Sequence, residues 1–269
     1  MGLPYTAVLT DIFGEQWPFN RGCPVRLVFL DGLGAAPFEL DGTTGVNQPG
    51  ITIHGRNDEP NTLKAGMFID RPGGGNAAVS QLAQWREANG RGGIDEPIMR
   101  LTVTDTDRFQ EVRLIRWLNE PEFVKIHACG RAYDEVEWQS DESWWRTDPI
   151  VESFTAAQFA SAKVSNRGHV SSWPHYRLEG PITNPRIGLM GELVGLPSLT
   201  AGQWLEIETD PEWWEIRDHA GLDRSWIGNR WHIKAPARTD NITVSVTGTG
   251  TTAATKLTVT VPQLFWSAL

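Results

Sequence analysis

Tyr176-Arg177-Leu178-Glu179-Gly180-Pro181-Ile182-Thr183-Asn184-Pro185-Arg186-Ile187 sets two apolar residues among polar neighbours, then breaks, then resumes. Tyr176 and Leu178 alternate as on a half-buried strand. Gly, Asn and Pro crowd the middle, where each favours a turn for its own reason. Arg186 to Leu189 reads as the next strand, and Gly191 to Leu196, Gln203 to Thr209 and Glu212 to Arg217 follow. Short strands spaced by about 8–12 residues indicate a β-sandwich. Asn241 to Val246 and Lys256 to Val261 alternate well, and the Thr-, Gly- and Ala-rich tract 247–255 joins them as a long hairpin.

Upstream, Pro24 to Leu30, Gly50 to Arg56 and Leu63 to Ile69 also read as extended, the last after the turn-rich Arg56-Asn57-Asp58-Glu59-Pro60-Asn61. A helix fits 77–89. Asn76 supplies an N-cap, Val79, Leu82, Ala83 and Trp85 an apolar stripe, and Gly90 a left-handed C′ position. Ile98 to Thr104, Gln110 to Trp117 and Glu122 to Ala128 are expected as three strands of a meander, with acidic, Trp-bearing sequence after them as far as Trp145. Small and turn residues over 148–172 suggest a boundary. The expected division is 1–150, a linker at 151–171, and 172–269. The fold class is therefore mainly β, with a helix-bearing sheet domain first and a sandwich second.

At 269 residues, the chain suits about two domains. Its 40% apolar and 21% charged residues are ordinary for a globular protein. Its net charge of −9 argues against generic binding to nucleic acid or to an anionic membrane. No basic residue precedes Arg21, so no secretory signal is expected, and no apolar run approaches the roughly 20 residues of a membrane span. Met1-Gly2 with Thr6 matches a loose myristoylation pattern, read as chance. Cys23 and Cys129 lack metal or redox spacing and are expected as buried, reduced thiols.

The chain carries no dinucleotide fingerprint, phosphate loop, zincin helix or nucleophile elbow. Gly73-Gly74-Gly75 before a helix could cradle an anion, but no phosphate-loop Lys or Ser/Thr follows, so it reads as a turn. His219 with Asp218 and Asp223, and Asp105 with Asp107, could hold a cation, yet loops use such residues for their own backbone. Glu206 with Glu208, and the cluster Glu135, Glu137, Asp141 and Glu142, are the carboxylate sets a glycosidase would need, and any acidic protein has such sets. Asn241-Ile242-Thr243 is a glycosylation sequon without relevance in a chain lacking a secretory signal. No catalytic residue, metal site or cofactor is expected, and no enzymatic activity.

Tryptophan is the unusual component, at 13 residues against 3 tyrosines. Trp144-Trp145 and Trp213-Trp214 are doublets, and Trp226 lies close behind the second. Neighbours on a strand face opposite sides. One of each doublet would face the core and the other a subunit, a loop or a sugar. Trp144, Trp145, Trp213, Trp214 and Trp226 are thus the contact-surface candidates.

The stretch Tyr176 to Ile187 resembles the second domain of siphophage distal tail proteins, often called Dit. Leu199-Thr200-Ala201-Gly202-Gln203-Trp204-Leu205-Glu206-Ile207-Glu208-Thr209 is similar to a strand of that domain. Trp213 to Asp218 and the Gly248-Thr249-Gly250 hairpin resemble minor tail proteins of actinobacterial phages in particular. Over 1–150 the resemblance lies in the order of elements, which is similar to the family's belt domain.

That resemblance implies a belt domain followed by a galectin-like β-sandwich. It implies a hexameric ring at the virion tail tip, made in the host cytoplasm, joining the tail tube to the baseplate and letting DNA pass. The first domain would form the ring. Implied partners are copies of the chain itself, the tail tube protein, a tail hub or tail-associated lysin protein, and receptor-binding proteins. Phage DNA would be met only in transit, and a membrane not at all. A carbohydrate-binding module for host cell-wall glycans, using the Trp doublets as platforms, is the alternative.

Overall fold

A chain dense in turn residues, with one long stretch of helical periodicity, builds a mainly β protein. The computed structural model describes residues 4–20, 22–47, 49–71, 75–227 and 229–269. It divides into two compact units, Met1–Arg146 with Trp266–Leu269, and Thr147–Phe265.

The first unit contains β1 (Ala7–Thr10), β2 (Gln16–Trp17), β3 (Val25–Asp31), β4 (Phe38–Thr43), β5 (Thr52–Asp58) and β6 (Thr62–Asp70). Then come α1 (Gly75–Ala88), β7 (Met99–Val103), β8 (Arg108–Trp117), α2 (Phe123–Cys129), β9 (Arg131–Gln139) and the start of β10 (Trp145–Thr155). Seven strands pair antiparallel in the order β2-β1-β7-β8-β9-β6-β3. β8 serves two neighbours in this order, and its Phe109 also stands opposite Arg146 of β10. Its first half pairs with β7 and its second with β9, across an irregularity between Leu114 and Arg116. Among the described residues, β4 and β5 pair only with each other.

α1 starts at Gly75, so Asn76, expected as the cap, lies inside the helix. The buried face runs through Ala78, Gln81, Leu82, Trp85 and Ala88, whereas Ala83 is exposed and Val79 half-buried. Trp85 sets this phase. It is fully buried, edge-on to Trp17, Phe19 and Trp138 at 5.5, 5.9 and 6.4 Å between ring centroids. Trp138 donates its indole N–H to Asn89 Oδ1 at 2.8 Å. Gly90 has φ +65°, the left-handed conformation expected of it. Gly73, Gly74, Met1 and Gly2 lie outside the described residues, and with them the anion cradle and the myristoylation pattern.

The segment expected as a strand at Glu122 to Ala128 is instead α2. Gly130 ends it in the left-handed conformation and donates to Ile126 O. Packing decides against the β-branched residues here, because α2 lies directly on α1. A Cβ at Gly75 would stand 1.8 Å from the carbonyl oxygen of His127. The strand that completes this part of the sheet is β9, within the acidic stretch before Trp145. Cys23 is half-buried and Cys129 exposed, so neither is the buried thiol expected.

The last residues return to the first unit. Ala268 N–H donates to Leu33 O at 2.8 Å, Thr106 Oγ1 to Ala268 O at 2.6 Å, and Arg108 Nη1 to Ser267 O at 3.0 Å. Sequence reading had assigned this tail to the second domain. Four residues are too few to carry a periodic signal of where they dock.

The second unit holds the rest of β10, β11 (Lys163–Asn166), β12 (His175–Glu179), β13 (Thr183–Leu189), β14 (Val194–Gly195) and β15 (Trp204–Glu208). It ends with β16 (Glu215–Asp218), β17 (Thr239–Thr249) and β18 (Lys256–Phe265). One sheet runs β16-β15-β12-β18-β10 and the other β11-β17-β13-β14. Alternation places the core: Tyr176 stands opposite Ile207 and Val259, and Leu178 opposite Leu205 and Leu257. All six are buried, and they meet Ile187, Leu189, Ile242 and Val244 of the other sheet. Residues 151–171, read from sequence as a linker, carry the end of β10, a 3-10 turn at Ala156–Ser161 and β11. Their small residues serve a capped turn, in which Gln158 Oε1 accepts from Thr155 N–H at 2.9 Å.

Candidate functional site

The β4–β5 hairpin exposes an apolar face. Register puts Phe38 opposite Asp58, Leu40 opposite Arg56 and Gly42 opposite Ile53. Opposed residues share a face, as do every second residue along a strand. Phe38, Leu40 and Ile53 therefore lie on one side, together with Arg56 and Asp58, which pair with each other there at 2.6 Å. Ile51 joins them, since its side chain lies where a Cβ at Gly42 would be. The other side carries Glu39, Asp41, Thr43 and Asn57. Leu40 is 51% exposed and Ile53 53%, and Phe38 and Ile51 are similar. No residue of either strand is buried. A two-stranded hairpin alone is marginally stable in water, and an uncovered apolar patch marks a surface for a partner.

Trp144 borders this face. The Arg56 guanidinium lies 3.9 Å over the Phe38 ring and 5.9 Å from that of Trp144. Trp145 differs, because it is wholly buried where β10 begins and is a core residue rather than a surface one. A second apolar patch stands elsewhere in the first unit, on α2, where Phe123 and Val124 are exposed.

In the second unit, Trp213 and Trp226 are 74% and 78% exposed, and Trp214 packs on the core. The Trp213-Trp214 pair lies in a turn before β16, not on a strand. The loop after β16 folds back on it. Arg224 N–H donates to Ile216 O at 2.6 Å, and Ile216 N–H to Ser225 Oγ at 3.0 Å. Trp226 thereby comes to the same edge of the sheet as the Trp213 turn. Asp218 organises the loop, accepting from the N–H groups of Ala220 and Leu222 at 2.9 and 3.0 Å and from Arg224 Nε at 2.7 Å. Burial works against its charge, but the Leu222 N–H, the Arg224 guanidinium and the Ala220 N–H hold its carboxyl below the usual range. Asp218 thus closes a loop, which occupies the carboxylate that sequence reading had offered to a cation with His219 and Asp223.

The other acidic candidates are likewise engaged. Glu137 meets Arg116 and Lys64, Asp141 meets Arg113, Glu142 meets Arg146, and Glu135 accepts from Tyr133. Glu206 accepts from Arg177 at 2.5 Å, and Glu208 from the N–H of Asp210 at 3.0 Å. Asp105 accepts from the N–H of Thr6 at 2.7 Å. Among the described residues, no helix is long and apolar enough to cross a membrane.

The fold is shared with solved phage structures. The Dit protein of phage SPP1, described as a paradigm of the hub adsorption apparatus in phages infecting Gram-positive bacteria, superposes with a TM-score of 0.69 at 12% identity, over 96% of this chain and 99% of that one. A chain of the phage P2 baseplate in its activated conformation with calcium gives 0.51 at 8% identity, over 96% and 97%. The strontium form of that baseplate gives 0.52 at 8%, over 96% and 98%. No protein-family profile matches the chain, and no curated protein matches it.

Proposed function

We propose that this chain is a structural component of a phage tail tip, a distal tail protein. Copies of it would close into a hexameric ring joining the tail tube to the baseplate and leaving a passage for DNA. The observation that carries this reading is the likeness to the SPP1 Dit protein, which runs through both units and nearly the whole of both chains.

The surface of the first unit suits such an assembly. A ring needs a heterologous interface, in which two different patches of one chain meet those of its neighbours. The hairpin face of Phe38, Leu40, Ile51 and Ile53 is one apolar patch, and Phe123 and Val124 of α2 are another. The first unit is therefore proposed to form the ring. The net charge of −9 suits a channel that must not capture DNA. The tail tube protein, a hub or tail-associated lysin protein, and receptor-binding proteins are the proposed partners, in a virion assembled in the host cytoplasm. The exposed Trp213 and Trp226 would meet such neighbours. The narrower assignment to an actinobacterial phage rests on Trp213 to Asp218 and Gly248 to Gly250 alone. The role requires no catalysis.

Negative-stain electron microscopy of the purified full chain tests this. Annular particles with a central opening and uniform diameter are expected. Particles of single-chain size only, or open filaments, would overturn the ring.

A further inference from the structure

Three exposed apolar side chains line one edge of a sheet in the second unit. Trp213 and Trp226 are mostly in solvent, and Leu222 is exposed as well. β16, the last strand of that sheet, brings them together. Trp213 leads into β16. Leu222 O accepts from the N–H of Asp218, its last residue, at 3.0 Å, and Ser225 Oγ, next to Trp226, accepts from Ile216 N–H at 3.0 Å. The turns that present the indoles are closed. Trp213 N–H donates to Asp210 O and Glu212 N–H to Asp210 Oδ1, each at 3.1 Å. Ser225 N–H donates to Asp223 Oδ1 at 2.7 Å, and Ile227 N–H to Arg224 O at 3.1 Å. A patch held by closed turns loses little freedom on binding.

Exposed apolar patches mark contact sites, and tryptophan is prominent among the residues that dominate their energy. The charge around this patch selects the partner. Residues 208–226 hold six carboxylates (Glu208, Asp210, Glu212, Glu215, Asp218 and Asp223) against two bases, Arg217 and Arg224, a local balance of −4 with His219 neutral. Both bases are engaged from within. Arg217 Nη2 donates to the two oxygens of Glu215 at 2.8 and 2.9 Å, and Arg224 Nε to Asp218 at 2.7 Å. Negative charge therefore remains around the indoles. The same unit shows what its indole faces accept: Arg177 lies 4.2 Å over the Trp204 ring, and Arg230 4.6 Å over that of Trp214. A cation is drawn to an aromatic face by the ring quadrupole, most strongly for tryptophan. A segment with Lys or Arg among apolar residues matches both features, its cations meeting ring faces and carboxylates and its apolar side chains meeting Leu222. An acidic partner is repelled. A second copy would bring the β4–β5 hairpin, whose apolar face is backed by Glu39 and Asp41. A neutral saccharide would stack on the rings without using the charge.

We propose that the edge formed by Trp213, Leu222 and Trp226 docks a basic segment of another protein that carries apolar residues between its Lys or Arg side chains. The two indoles take the cations, and Glu212 and Asp223 set the sign of the charge. The proposal rests on the reading of these tryptophans as contacts to neighbouring tail proteins, and it names the chemistry of the partner.

Selection of a random dodecapeptide library on the full chain tests it, with the tightest selected peptide then titrated by calorimetry. Net-positive peptides with Lys or Arg beside Leu or an aromatic residue are expected to be enriched. Trp213→Ala and Trp226→Ala should each weaken that peptide about tenfold or more. Glu212→Lys, at an exposed position, should weaken it about threefold or more, and wild-type binding should fall as salt is raised. Thermal melting verifies that the variants stay folded, and if Trp226→Ala melts early the other two decide. The proposal is overturned by no enrichment, by enrichment of acidic or uncharged peptides, or by a selected basic peptide that binds wild type, Trp213→Ala and Glu212→Lys alike. Annular particles without such binding would overturn this proposal and leave the ring standing. Single chains that bind the basic peptide through the tryptophans would overturn the ring and support the docking edge.

Discussion

Arg86 grips Asp134 with both arms of its guanidinium, Nη2 lying 2.6 Å from Oδ1 and Nε 3.0 Å from Oδ2. The pair ties α1 to β9, with Asp134 fully buried and Arg86 stacked 4.5 Å over Trp117. Burial raises the Asp134 carboxyl above its ordinary range, although the hydrogen bonds and charge of Arg86 pull it down. A carboxyl raised on folding adds stability below its unfolded pKa of about 3.9, and that contribution is lost as pH rises through the folded value.

Arg86→Met should therefore be pH-dependent in its cost. The variant removes the downward pull and leaves a buried carboxylate unpaired, which costs about 3–5 kcal/mol where the group is ionised. At acid pH the carboxyl can take a proton and the loss shrinks. Urea denaturation at pH 5 and pH 8 measures this, and an equal loss at both would contradict it.

Gly75→Ala should destabilise the first unit. The added methyl meets the backbone carbonyl of His127, which cannot swing aside as a side chain does. Overpacking of this kind costs about 1–3 kcal/mol. A melting temperature equal to that of wild type would show that α1 and α2 do not approach so closely.

Asp218→Ala should open the loop between Asp218 and Arg224 while leaving the sandwich folded. The carboxyl is held below its usual range, so its contribution is present above the unfolded pKa and is lost as pH falls through the lowered value. Hydrogen exchange at the Ala220 and Leu222 amides reads the loop directly. Those amides should exchange faster in the variant than in wild type at neutral pH. Protection unchanged in the variant would mean that the backbone pairing of Ile216 with Arg224 holds the loop unaided.

The sandwich was legible because several of its strands alternate: Tyr176 and Leu178 face inward between His175, Arg177 and Glu179, and β18 repeats the pattern over ten residues. α2 was not. Phe123, Val124 and Ile126 suit a strand, and the helix is set instead by the close approach of α2 to α1, where the His127 backbone lies against Gly75. The phase of α1 was off because Trp85, a residue of large area, outweighs Val79 and Ala83. Trp144 and Trp145 look alike in sequence, yet one borders the hairpin and the other is core. Their difference depends on long-range pairing at the start of β10. The hairpin face itself was half legible. Ile51 and Ile53 were read on an extended segment, but its partner at Phe38–Thr43 was not, since Glu39, Asp41 and Gly42 dilute the β signal.

The central claim is that the uncovered hairpin face joins copies of this chain into a closed ring. Leu40 and Ile53 are exposed, so Leu40→Lys with Ile53→Glu should shift the stability of the single chain by no more than about 0.5 kcal/mol each. Native mass spectrometry of wild type and this double variant, side by side at equal concentration, counts the protomers. The expected result is a single hexameric species for wild type and single chains for the variant, which still melts in one cooperative transition, at a temperature no higher than that of the assembled wild type. Wild type found only as single chains, or a variant that still forms the same hexamer, would contradict the claim.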